Sequence, residues 1–151
     1  MNDFQFQLGP LIKAVNTLFE RDVDNQLSMP AGVPKLTGTQ LRVLGYLMGH
    51  QHEIIYQRDL DKVFHTSRPT INGVIKRLRE NGFVTVLPSP EDKRYKQIKL
   101  SPETREKMQA HRQEFVIVFS QIEQKMTRGM TTDEVDQLKI LLKICLKNLQ
   151  D

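Results

Sequence analysis

SRPTINGVIKRLRENGFV, residues 67–84, changes its period part-way along, and that change decides the fold. Ile71, Val74, Ile75 and Leu78 recur at the spacing of one helical face, so this stretch predicts an amphipathic helix with a buried stripe. Ser67 is placed to cap it, Pro69 suits its first turn, and Asn81-Gly82 supplies a left-handed stop. The opposite face presents Pro69, Asn72, Gly73 and Lys76, flanked by Thr70 and Arg77. After Gly82 the pattern becomes β-branched, aromatic and partly alternating: FVTVL (83–87) and YKQIKL (95–100) predict two antiparallel strands. The loop between them, Pro88 to Arg94, is too long for a tight two-residue turn and is expected to project.

The neighbouring segments predict helices. Upstream, Leu8, Leu11, Ile12, Val15, Leu18, Phe19 and Val23 form a helical stripe whose start is complicated by Pro10. QLSMPAGVPKL (26–36), with two prolines and a glycine, reads as a connecting loop. Thr37 with Gln40 is a capping-box pair opening a second helix with Leu41, Leu44, Leu47 and Met48 on one face. A helix of two to three turns, roughly Gln57 to Phe64, follows. Downstream, Ser101-Pro102-Glu103 is a helix start, and one helix is expected to run to about Arg128. A last helix opens at the Thr131…Glu134 capping box and carries Val135, Leu138, Leu142, Cys145 and Leu149. The fold expected is thus mainly α with a small two-stranded β-wing: a winged helix-turn-helix over 37–101, with helical regions at 1–26 and 102–151.

With 151 residues, 26% charged and 38% apolar, the chain fits one soluble globular unit. It has no apolar run near the ~20 residues of a membrane span, and its N-terminus lacks the layout of a signal peptide. Together with a single cysteine, this makes the cytoplasm the expected location. The net charge of +4 is unevenly spread: Ser67 to Leu100 hold eight basic and three acidic residues, so the rest of the chain sums to −1. A positive charge concentrated on a capped helix and the loop beside it points to double-stranded nucleic acid as partner. A winged-helix module that binds another protein is the alternative, and salt-sensitive duplex binding would discriminate the two.

The same residues resemble the MarR family of bacterial transcription regulators. The resemblance is carried by Ser67-Arg68-Pro69-Thr70 opening the helix, the Ile71/Val74/Ile75 stripe, Leu78, Gly82-Phe83-Val84, Asp92-Lys93-Arg94 in the wing and Leu100-Ser101 after it. Pro69 departs from the family, which often has a small or polar residue there. The resemblance implies a homodimeric repressor or activator whose first and last two helices interlock with a partner's, each winged module reading half of a palindromic site. On that reading Ser67 caps the recognition helix, whose N-terminus suits a phosphate, while Arg68, Thr70, Asn72 and Lys76 face base edges or nearby phosphates. Gly73 permits close approach and Arg77 holds a phosphate. In the wing, Lys93 and Lys96 add phosphate attraction, and Arg94 is expected at the minor groove with Asp92 holding its guanidinium in place.

The family resemblance also implies a small aromatic effector between the dimerisation helices and the reading module. Val15, Phe19, Leu44, Met48, Met108, His111 and Phe115 are candidates to line its site, although the first reading of each is a core position. No catalytic motif is present, so no enzyme activity and no cofactor are expected. His50 and His52, with His111, lack zinc-ligand spacing, so no metal is expected. Cys145 is expected to be a buried small hydrophobe on the last helix.

Overall fold

Leu78 and Ile71, from the stretch that changes period, are among the most deeply buried side chains of the protein, and the fold is built around them. The computed structural model describes residues 7–27 and 33–150. Among these the order is α1 (Leu8–Gln26), α2 (Gly38–Gly49), β1 (Ile55–Tyr56), a 3-10 turn (Gln57–Asp59), α3 (Leu60–Val63), α4 (Arg68–Glu80), β2 (Val84–Pro88), β3 (Lys96–Leu100), α5 (Pro102–Ala110), α6 (Arg112–Met126) and α7 (Thr132–Asn148). Residues 28–32 of the expected connecting loop, and residues 1–6 and 151 of the terminal regions, lie outside the described residues.

Helix starts follow their side-chain chemistry. At Thr37 and at Thr131 both halves of the capping box form, the threonine hydroxyl accepting from the third backbone N–H and the Gln40 or Glu134 side chain accepting from the cap N–H. Ser67 and Ser101 each accept from the N–H of the threonine three residues on. Pro10 is the third residue of α1, within the first turn, where its missing N–H has no intrahelical partner to lose. Gly82 stops α4 with φ +78°, a backbone that costs glycine nothing.

One core lies inside the winged module. Leu36, Val43, Leu44 and Leu47 meet Leu60 of α3, the four apolar residues of α4, and Phe83, Val84 and Ile98 of the sheet. At about 1.5–3 kcal/mol for each fully buried aliphatic side chain, this cluster supplies most of the apolar stabilisation within the chain. Outside it the only buried apolar side chains among the described residues are Val23 and Ile122, where α1 packs on α6. That contact adds a Phe19–Phe119 ring pair at 6.3 Å and a Lys125–Asp22 ion pair at 2.6 Å.

Three expectations change. The sheet has three strands, not two, ordered β1-β3-β2, all antiparallel. Ile55 pairs with Ile98, and two residues are too few for an alternation to show in sequence. The Gln57–Phe64 helix is a 3-10 turn and a single α-turn. The long helix from Pro102 breaks at His111, whose φ −104° and ψ 10° leave the helical region. On one side of the break Met108 packs against the winged-module core; on the other Ile122 and Phe119 face α1. A continuous apolar periodicity thus serves two different packing partners.

Candidate nucleic-acid interface

α4 turns its apolar face inward and leaves Arg68, Pro69, Thr70, Asn72, Lys76 and Arg77 exposed. Ser67 also donates its hydroxyl to Thr70 Oγ1 at 2.7 Å, which fixes both side chains at the helix N-terminus. Gly73 faces open space: a Cβ built on it meets nothing within 4 Å. Lys76 stands 4.0 Å from Glu80, an exposed pair of little strength that leaves the ammonium free to turn outward.

Arg68 is differently placed. Its Nε lies 3.5 Å from Asp61 Oδ2, and its Nη2 donates to the Arg58 carbonyl at 3.4 Å. It therefore staples the start of α4 to the element before it, while its side chain stays 60% exposed and able to reach outward as well. Between these elements His65 takes the left-handed φ of 50°, and its Nδ1 accepts from the Gln150 amide at 2.8 Å. The end of α7 thus touches the turn of the helix-turn-helix.

In the wing, Arg94 is 82% exposed and grips Asp92: Nε donates to Oδ1 at 3.0 Å, Nη2 to Oδ2 at 2.7 Å, and the Arg94 backbone N–H to Oδ1 at 3.0 Å. These bonds, the side-chain ones first, hold the Asp92 carboxyl below the usual carboxylate range, with the Arg58 charge adding to them. The same contact raises the Arg94 guanidinium pKa further. Lys93 and Lys96 are exposed beside it.

Five residues that the sequence did not single out hold the wing root: Tyr56, Arg58, Ser89, Glu91 and Tyr95. The Arg58 guanidinium lies over the Tyr95 ring at 3.6 Å and the Tyr56 ring at 4.9 Å. Tyr56 donates its hydroxyl to Glu91 at 3.2 Å and accepts from Ser89, itself 1% exposed, at 3.3 Å. The only available signal was compositional: two tyrosines and an arginine near a projecting loop.

The candidate effector residues do not share one cavity. Leu44, Met108, His111 and Phe115 line a cavity of about 160 Å³ together with Val33, Leu36, Leu41, Phe83, Glu103 and Lys107. Met48 lines an adjoining groove of about 420 Å³ that also takes in Met108 and Phe115, and Phe19 lines a third hollow between α1 and α2. Val15 lines none of these and stands half-exposed on α1. Cys145 is exposed rather than buried, because among the described residues the apolar stripe of α7 is partly covered only at Val135 and Leu138 and lies open beyond them. Among the described residues no three His, Cys, Asp or Glu side chains are grouped to hold a metal; His50 instead donates to the Tyr46 carbonyl at 2.8 Å and stacks on its ring. No described helix is long and apolar enough to cross a membrane.

A model of the MarR family matches residues 35–94. The multiple antibiotic resistance protein MarR of Salmonella typhimurium is 32% identical over 137 residues, which cover 90% of this chain and 88% of that one. Among solved structures, a mutant MarR from E. coli complexed with operator DNA superimposes with a TM-score of 0.76 at 30% identity, covering 95% of this chain and 96% of the other. The MepR–DNA complex of S. aureus has the same fold, with a TM-score of 0.76 at 22% identity over 94% and 98% of the two chains.

Proposed function

The chain belongs to the MarR family, a family of transcription regulators rather than enzymes, and from that premise we propose that it is a sequence-specific DNA-binding repressor acting as a homodimer on a palindromic operator. The observation that carries this reading is the division of α4: Ile71, Val74, Ile75 and Leu78 buried, every basic side chain exposed, with the wing after it carrying an arginine that is 82% exposed and oriented by Asp92. The operator complex of the 30% identical relative supports the same assignment.

In this reading α4 enters the major groove. Thr70, Asn72 and Lys76 meet base edges, Gly73 lets the backbone approach, and Arg77 and the Ser67-capped N-terminus hold phosphates. Pro69 lines the approach at the first turn. Arg68 keeps the helix seated on Asp61 and adds charge. The wing brings Arg94 to the minor groove, oriented by Asp92, with Lys93 and Lys96 on the backbone.

Residues 37–101 form the reading module in this proposal, and 1–26 with 102–151 the dimerisation region. α1 exposes Leu8, Leu11, Ile12, Val15 and Leu18, and α7 exposes Ile140, Leu141, Leu142, Ile144 and Leu146, each more than 40% accessible. Apolar surface on this scale on the first and last helices is what a second copy of the chain would cover. The cavity of about 160 Å³ between α2, α5 and the winged-module core suits one aromatic ring, since a cavity of about 150 Å³ accepts benzene. Glu103, Lys107 and His111 offer polar contacts at its wall. An effector seated there releases DNA only by preferring one arrangement of the two modules.

Selection of duplexes from a random pool, followed by affinity measurements at two salt concentrations, tests the function. Enrichment of palindromes is expected, with binding falling about a thousandfold between roughly 50 and 200 mM salt. If no duplex is enriched at either salt, the DNA-binding reading is wrong and the protein-interaction alternative takes its place.

A further inference from the structure

We propose that Arg58 is a positioning residue that locks the wing to the recognition helix and so sets where Arg94 stands. The DNA-related half of this inference rests on the reading of α4 and the wing as DNA-contacting elements. Arg58 touches both elements at once. Its carbonyl accepts from Arg68, the first residue of α4, at 3.4 Å. Its guanidinium lies 3.6 Å above the ring of Tyr95, the last residue before β3 and the immediate neighbour of Arg94.

Tyr95 is in turn the keystone of the wing loop. Its N–H donates to the Asp92 carbonyl at 3.1 Å, and its carbonyl accepts from the Ser89 N–H at 2.8 Å. Tyr56 meets the Tyr95 ring edge-on at 6.1 Å and ties Glu91 and Ser89 to the same root. The apolar core does not reach this far out: Leu87, in the outer part of β2, is 48% exposed. A stacked, planar guanidinium therefore supplies the fixation that a larger wing would obtain from packing. A wing held in place before binding loses less conformational freedom on DNA, so the latch acts through Arg94 rather than by contact of its own.

The test uses the full chain carrying Arg58→Gln, Tyr95→Leu or Tyr95→Phe, each with and without Arg94→Ala. Backbone relaxation of the Lys93 and Arg94 amides is measured without DNA, and affinity is measured for a duplex selected by the parent protein. Arg58→Gln and Tyr95→Leu are expected to drop the wing order parameters below about 0.6, while Tyr95→Phe, which keeps the ring, stays at the parent value. Arg94→Ala is expected to cost about tenfold in affinity in the parent and in Tyr95→Phe. In the Arg58→Gln and Tyr95→Leu backgrounds it is expected to cost under about threefold, because Arg94 is already misplaced. Unchanged wing order in those two variants overturns the proposal whether or not DNA binds. An Arg94→Ala penalty equal in all backgrounds also overturns it, since Arg58 then contacts DNA independently. Loosening of the wing in a protein whose parent binds no duplex supports the latch and removes the DNA-binding reading instead.

Discussion

Gly73 separates the needs of the helix from those of its partner. Because an added Cβ meets nothing within 4 Å, Gly73→Ala is expected to raise stability by about 0.5–1 kcal/mol through helix propensity alone. The same methyl sits on the face assigned to the major groove, so DNA affinity is expected to fall; paired thermal melts and anisotropy titrations read the two effects. A gain in both would move the DNA contact off this face. Asp92 gives a second test, because its role is opposite to its charge. Asp92→Ala makes the wing more positive yet frees Arg94, so weaker DNA binding is expected; tighter binding would show that charge counting outweighs orientation. In the intact protein Asp92 is depressed in the folded state by Arg94, so its contribution is present above the ordinary value of 3.8 and is lost as pH falls through the lower folded value. A carboxyl titration followed by NMR should therefore show a midpoint below 3.8 that rises in Arg94→Ala. The Asp92–Arg94 contact was legible in sequence because two residues of opposite charge at that spacing in a turn can reach each other. The Arg58–Tyr95 stack was not, because it joins positions 37 apart that only the sheet brings together.

Each helix cap is a local device, and local devices read well from sequence. Thr37, Ser67, Ser101 and Thr131 all cap as their chemistry requires, since the partner lies three residues away and needs no tertiary structure to find. Ser101→Ala is expected to cost about 1 kcal/mol in thermal unfolding while leaving DNA affinity at native temperature unchanged. Loss of affinity equal to that of an α4 variant would place α5 at the interface. Long-range decisions escaped the sequence reading for the converse reason. β1 exists because Ile55 finds Ile98, a residue of the β2–β3 hairpin. The interruption at His111 exists because Met108 and Phe119 bury against different layers, and their spacing along the chain is the same whether or not the helix bends between them. Cys145 follows the same logic: its stripe is real, but none of the described residues buries it at that position.

At the level of the whole molecule, the chain divides its apolar surface between a closed core at Leu36–Ile98 and open stripes on α1 and α7. Leu141→Asp, placed in the α7 stripe, is expected to leave the winged-module core intact and to convert the proposed dimer to monomer by analytical ultracentrifugation. Its affinity for a palindrome should fall to that of a single half-site; an unchanged dimer would move the interface elsewhere. The contact of Gln150 with His65 means that this same helix ends against the turn that seats α4. The break at His111 then sets a length scale. α5 is packed with the winged module and α6 with α1, so in the proposed dimer the gap between the two winged modules would be a span set by protein, against which a proposed operator would be measured. One extra central base pair lengthens the site by about 3.4 Å and rotates one half by about 34°. How steeply affinity falls across such a spacer series gives the stiffness of the joint at His111, with the double helix serving as the ruler.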